Sequence, residues 1–235
     1  MKHTLVTATI LGIALCLAPG ADADEAQKAE APETTAPTAA PNPALLDPSI
    51  ATERAPDAYR VKLETTKGDV TILVNRSWAP NGADRFYNLV KIGYFADVAF
   101  YRAIKGFMVQ GGFNGDPAVT AVWSNAKISD DPMTQSNSRG MVTFAQPSTP
   151  NARTTQFFIN TTDNDYLKDH GTFSPFGKVI SGMDVVDGLY TGYGEAAPRG
   201  RGPGQGKIAR EGNVYLKTSF PKLDYIVSAT IVEAE

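Results

Sequence analysis

The stretch from Phe100 to Gly112, FYRAIKGFMVQGG, sets one arginine and one glutamine among apolar residues and closes on two glycines. That mixture suits a pocket in which a cation works beside apolar surface. Read as two short strands around a Lys105-Gly106 turn, the two-residue period puts Met108 and Gln110 on one face of the second strand and Val109 on the other. Arg102 then sits near the face of Gln110. A guanidinium beside Phe107 and Met108 needs a partner, because burying an unpaired charge costs far more than burying a methyl group. Alone, such an arginine would read as a surface residue of an ordinary hairpin. Downstream, however, Phe144-Ala145-Gln146 is followed by Thr154 to Asn160, TTQFFIN. There, alternation puts Gln156 and Phe158 on one face and Phe157 and Ile159 on the other, with Phe157 read as core. An amide paired with an aromatic ring on one face thus occurs twice.

Other chemistries fail on residue type. His3 and His170 are the only histidines, which excludes a histidine-rich metal site and a second-histidine relay. Asp163, Asp165 and Asp169 resemble a calcium loop only briefly, since Tyr166, Leu167 and Lys168 break its pattern; they read as solvated loop acids. Gly200-Arg201-Gly202-Pro203-Gly204-Gln205-Gly206-Lys207 has neither the dinucleotide fingerprint nor the phosphate-loop spacing and reads as a loop. From Arg199 to Lys222 six basic residues face one acid, Glu211, but the chain carries a net charge of −3. A solvated basic loop, with no nucleic-acid partner, is the reading that follows.

Together with Phe176-Gly177-Lys178-Val179, these segments resemble the signature blocks of the cyclophilin family of peptidyl-prolyl cis-trans isomerases. The match runs in the family's order from about Arg60 to Val232. The resemblance implies a bacterial enzyme, and the N-terminal sequence an exported one, in which Arg102 stabilises the twisted X-Pro bond and Gln110 orients Arg102 and the substrate carbonyl. It implies a slot for the proline ring made by Phe107, Met108, Phe158 and Leu167. The backbone of Gln146 would hold the peptide, and Ala145 and Gln156 would line the neighbouring groove. Tyr166 joins the binding residues at a position where animal members often carry tryptophan, so binding of cyclosporin-type inhibitors is expected to be weak but present. No metal or cofactor is implied. Two further departures bear on ligand preference: Gln146 replaces a usual asparagine, and Phe173 stands three before Phe176, where histidine is frequent. His170 is not assigned that role. Partners would be proline-containing peptides and folding proteins. The competing class is a non-catalytic module or chaperone that holds proline segments on the same scaffold.

The elements that must carry these residues are short. Val61 and Leu63 lead through a glycine turn to Val70, Ile72 and Val74 as a hairpin. Pro80 opens an amphipathic helix with Phe86, Leu89 and Val90 that ends around Gly93. A second short helix is predicted from Gly182 to Leu189, and Leu223 to Val232 is a final strand. Many short strands with two helices predict a mainly β fold, a closed antiparallel barrel. The resemblance sharpens this to eight strands capped by two helices.

The first fifth of the chain is not built to pack. Residues 1–23 read as a secretory signal: Lys2 and His3, an apolar run from Leu5 to Leu17, and the small-x-small site Ala21-Asp22-Ala23. The run is too short to span a bilayer comfortably. Cleavage after Ala23 would remove Cys16, the only cysteine, leaving a periplasmic or secreted chain without thiol chemistry. The alternative keeps Cys16 as a lipidated, membrane-bound N-terminus, which Leu15 disfavours. Residues 24–57 hold nine alanines and six prolines among 34 residues, the composition of a flexible linker, with a root-mean-square span of about 30 Å. Within it, Leu45-Leu46-Asp47-Pro48-Ser49-Ile50 is apolar enough to dock. The folded domain is expected to run from 58 to 235.

Overall fold

The computed structural model describes residues 40–171 and 173–232. Alternating β-branched residues build its first hairpin: β1 (Ala58–Thr65) pairs antiparallel with β2 (Gly68–Asn75), so that Val61 faces Ile72 and Leu63 faces Val70. The turn between them needs Gly68, whose φ is +131°. The remaining strands are β3 (Val98–Ala99), β4 (Arg102–Ile104), β5 (Met108–Gly111), β6 (Met141–Phe144), β7 (Phe157–Asn160), β8 (Pro175–Ser181) and β9 (Tyr225–Val232). They form one curled antiparallel sheet in the order β3-β9-β1-β2-β8-β6-β7-β5-β4. The two ends of that order are neighbours in the chain. The segment 98–104 therefore bonds to β9 at its start and to β5 at its finish, which joins the ends of the curl. Nine strands appear instead of eight because Phe100 and Tyr101 separate β3 from β4.

Inside the curl, Val61, Leu63, Ile72, Val109, Val142, Phe144, Phe157 and Ile159 meet Phe86 and Leu89 of α1 (Pro80–Lys91) in the main core. Proline at the helix start lacks the N–H that would go unpaired there. The next two, on Asn81 and Gly82, both donate to the Asp131 carboxylate at 2.9 Å. Asp131 is buried against the equally buried Arg153 at 3.0 Å.

The two expected helices are α1 and, later, a turn over Met183–Asp187. Two more were not foreseen. Pro117–Trp123, capped by the Asp116 side chain on the Ala118 N–H at 2.8 Å, is α2, which makes Met183–Asp187 α3. Gln205–Ser219 is α4, and it corrects the reading of the basic stretch as a solvated loop. Its periodicity is hidden because the helix breaks at Gly212, φ +54°. Ile208 and Leu216 lie on either side of that break and are buried with Ala99, Tyr101 and Leu223, so α4 backs the segment that carries β4.

The signal reading of residues 1–23 and the linker reading of 24–39 lie outside the described residues. Residues 40–57 do not behave as a linker. They form 3-10 turns over Pro43–Leu45 and Pro48–Ile50, bury Ala44 and Ala55, and accept the Trp123 indole N–H at the Leu45 carbonyl, 3.1 Å away. Asn88 of α1 donates to the Glu53 carbonyl at 2.7 Å. Packing against the folded domain therefore reaches back to Ala44, well before residue 58.

Candidate active site

Strand register assembles the site. Arg102 of β4 faces Gln110 of β5, Gln110 faces Phe158 of β7, and Phe158 faces Thr143 of β6. The intervening row, Ala103, Val109, Ile159 and Val142, points into the main core. The period of two thus places Arg102, Met108, Gln110 and Phe158 on the outer face of the curl. The β4–β5 turn closes as expected, with the Phe107 N–H on the Ile104 carbonyl at 3.0 Å and Gly106 at φ +71°.

On that face Met108, Phe158 and Leu167 are buried as a third apolar cluster, flanked by Phe107, Ala145 and Phe173. The cluster floors an open cavity of about 660 Å³. Arg102, Phe107, Met108, Gln110, Ala145, Gln146, Gln156, Phe158 and Leu167 all line it. Tyr166 does not. It is half exposed, and its ring lies alongside Phe107 with centroids 6.4 Å apart. Phe173 contributes a wall, meeting Phe158 edge-on at 5.9 Å. The Gln146 amide is tied to the Thr149 carbonyl at 3.0 Å.

Polar side chains form a chain behind this surface. Arg102 Nη1 donates to Gln110 Oε1 at 2.9 Å. Gln110 Nε2 donates to the Tyr101 hydroxyl at 2.6 Å, and that hydroxyl donates to Gln156 Oε1 at 2.6 Å. Burial pushes the Tyr101 phenol far above its usual range, so it remains a donor. Arg102 also gives Nε and Nη2 to the two oxygens of Glu195, at 2.6 and 2.8 Å. That guanidinium hydrogen bond is the main reason the Glu195 carboxyl is held below the ordinary range. A guanidinium has five N–H donors. Nη1 also makes a weak contact to the Met108 sulfur at 3.9 Å, so four are engaged here and one, on Nη2, remains for a ligand. The guanidinium carbon stands 5.9 Å from the Phe107 ring centre.

Tyr101, Glu195 and three asparagines escaped the sequence reading. Asn164 Nδ2 holds the Phe107 carbonyl at 2.9 Å and Asn160 Oδ1 at 2.8 Å. Asn160 Nδ2 donates to Asn137 Oδ1 at 3.2 Å, and Asn137 Nδ2 to the Phe173 carbonyl at 2.8 Å. This buried relay fixes two walls of the cavity. Asn160 and Asn164 are neighbours in the chain, but Asn137 and the Phe173 carbonyl come from other segments, so no spacing signals the relay. The acids read as loop residues divide: Asp163 accepts the Arg139 backbone N–H at 2.8 Å, whereas Asp165 and Asp169 lie in a 3-10 helix over Asp165–His170, where Asp165 accepts the Ser136 hydroxyl.

Comparison with known proteins identifies the class of this arrangement. A family model described as cyclophilin type peptidyl-prolyl cis-trans isomerase/CLD matches residues 60–202. A peptidyl-prolyl cis-trans isomerase of Acinetobacter baylyi is 37% identical over 133 residues, 54% of this chain and 69% of that protein. Peptidyl-prolyl cis-trans isomerase B of Escherichia coli is 33% identical over 142 residues, 56% of this chain and 86% of that protein. The fold is similar to that of a cyclophilin type isomerase of Cryptosporidium parvum crystallised in the presence of the dipeptide Ala-Pro. The TM-score is 0.54 at 22% identity, over 74% of this chain and 99% of that one.

Proposed function

This chain belongs to the cyclophilin type peptidyl-prolyl cis-trans isomerases, and from that premise we propose that Arg102 lowers the barrier to X-Pro rotation in proteins folding after export. Rotation about this bond must break amide resonance, a barrier of about 18 to 20 kcal/mol, although the two isomers differ little in energy. In the twisted transition state the nitrogen regains its lone pair. A donor aimed at that nitrogen binds the twisted form better than the planar one, which is the condition for catalysis. The observation that carries the reading is the Arg102 guanidinium itself: it stands in the wall of a cavity with an apolar floor, fixed by Gln110 and Glu195, with an Nη2 N–H unspent. Met108, Phe158 and Leu167 supply an apolar floor beside it. Gln110 holds Arg102 and is itself held by Tyr101. Proline-containing peptides are the ligand class, supported by the Ala-Pro dipeptide used with the Cryptosporidium protein.

A charge-assisted hydrogen bond contributes about 1.5 to 3 kcal/mol, so Arg102→Ala should lower kcat/KM by about 10- to 100-fold. Arg102→Lys should recover only part, because a compact ammonium cannot reproduce the planar fork. Protease-coupled isomerisation rates, measured beside melting curves, test this. Near-wild-type turnover in folded Arg102→Ala would leave the cavity as a binding surface for proline segments.

Export rests on the sequence of residues 1–23, with its apolar run and Ala21-Asp22-Ala23. The exported protein should have an intact mass that starts at Asp24. A diacylglyceryl group on Cys16 would instead make it a membrane-tethered enzyme.

A further inference from the structure

We propose that Glu195 is a positioning residue for Arg102, delivered to the sheet edge by the loop 194–202 so that the guanidinium plane is fixed before a peptide arrives. The proposal rests on the reading of Arg102 given above. Gly194 bridges to Ala103, the residue that follows Arg102 in β4, which brings Glu195 to the arginine. Its carboxylate takes Nε and Nη2 side-on at 2.6 and 2.8 Å. The carboxylate is in turn held by the Ala196 N–H on Oε1 at 2.8 Å, and the Glu195 carbonyl accepts the Gly202 N–H at 2.9 Å.

The glycines of Gly200-Arg201-Gly202 belong to this device. A Cβ on Gly200 would lie 2.3 Å from the Glu195 carbonyl oxygen, and one on Gly202 would lie 2.8 Å from it, so the loop closes around Glu195 only without side chains there. Gln110 alone would hold the guanidinium by a single N–H, free to swing about that bond. The two-point carboxylate contact sets the plane. The pair is partly solvated, with side-chain exposures of 21% for Arg102 and 31% for Glu195. Such a pair adds little to stability, and its consequence is orientation. Orientation matters most in the transition state, where the donor must meet a lone pair that the planar amide does not present.

The test is kcat and KM for Glu195→Ala and Glu195→Gln, each alone and combined with Arg102→Ala, with melting temperatures alongside. Glu195→Ala should lower kcat about tenfold with a smaller change in KM. Glu195→Gln, of the same shape but with one acceptor, should recover part of the loss. In the Arg102→Ala background neither change should lower turnover further, because the carboxylate acts through the arginine. Unchanged kcat in folded Glu195→Ala would overturn the proposal. So would a rise, which would make the carboxylate a competitor of substrate, or an equal loss in the Arg102→Ala background, which would make its role structural. Full turnover in Arg102→Ala alone would instead remove the premise, and that result is read from a different variant.

Discussion

The indole N–H that animal relatives often present is missing at Tyr166, and the structure puts that residue on the rim rather than in the wall of the cavity. Its ring stacks beside Phe107 and is 52% exposed. A tryptophan there would keep the stacking partner and exchange the phenol O–H for an indole N–H at a different place on the ring. Tyr166→Trp should therefore tighten a cyclosporin-type inhibitor by one hydrogen bond, between about 2- and 10-fold, and leave peptide turnover nearly unchanged. Calorimetric titration of the two proteins checks it, and equal affinities would refute it. On this expectation a change at the rim alters inhibitor affinity, whereas a change in Arg102, Gln110 or Gln156, which line the cavity itself, alters rate.

Among the elements, the end of β5 shows how closely strands must approach to place Gln156 beside Gln110. Gly112 has φ +109°, and a Cβ there would lie 2.4 Å from the Thr155 carbonyl oxygen and 2.6 Å from the Gln156 Cα. Its own carbonyl accepts the Thr155 hydroxyl at 2.8 Å. Gly112→Ala has no flexible neighbour to displace, so it should cost more than about 2 kcal/mol and depress turnover through Gln156. Gly106, in the β4–β5 turn, is the contrast: its φ is +71°, but nothing lies within 4 Å of an added Cβ. Gly106→Ala should cost only the left-handed conformation, about 1 to 2 kcal/mol. Urea unfolding of both variants ranks them, and an equal or inverted order would contradict the close packing described for β5 and the 155–156 segment.

Across the whole molecule, the segment 40–57 is part of the folded unit. It buries Ala44 and Ala55, holds the Trp123 indole through the Leu45 carbonyl, and gives the Ala55 N–H to Asp84 at 2.9 Å. None of its residues lines the cavity. A chain beginning at Ala58 should consequently melt at a lower temperature than one beginning at Ala40 and show red-shifted tryptophan fluorescence, with the same kcat/KM for a short proline peptide. Identical melting curves would return 40–57 to the role of a linker.

The sequence alone determined whatever depends on short-range periodicity. Alternation in 61–74, 108–110 and 156–159 decided which side chains face the core and which face the site. The spacing of Phe86, Leu89 and Val90 decided α1. The resemblance carried by those blocks named the cavity residues that the structure brings together, and also Tyr166, which stays outside the cavity. What only the tertiary structure decided involves partners far apart in the chain or a helix whose pattern is interrupted. Glu195 meets Arg102 across 93 residues, and the Asn137, Asn160 and Asn164 relay joins separate segments. The two pieces of α4 acquire a common buried side only against Tyr101 and Leu223. Ala44 and Ala55 are small and sit among prolines, so composition read their segment as linker, although such residues bury well once Trp123 and α1 supply a surface to cover. Periodicity is a property of one element, whereas an ion pair, a relay or a docked strap exists only after two elements have been brought together.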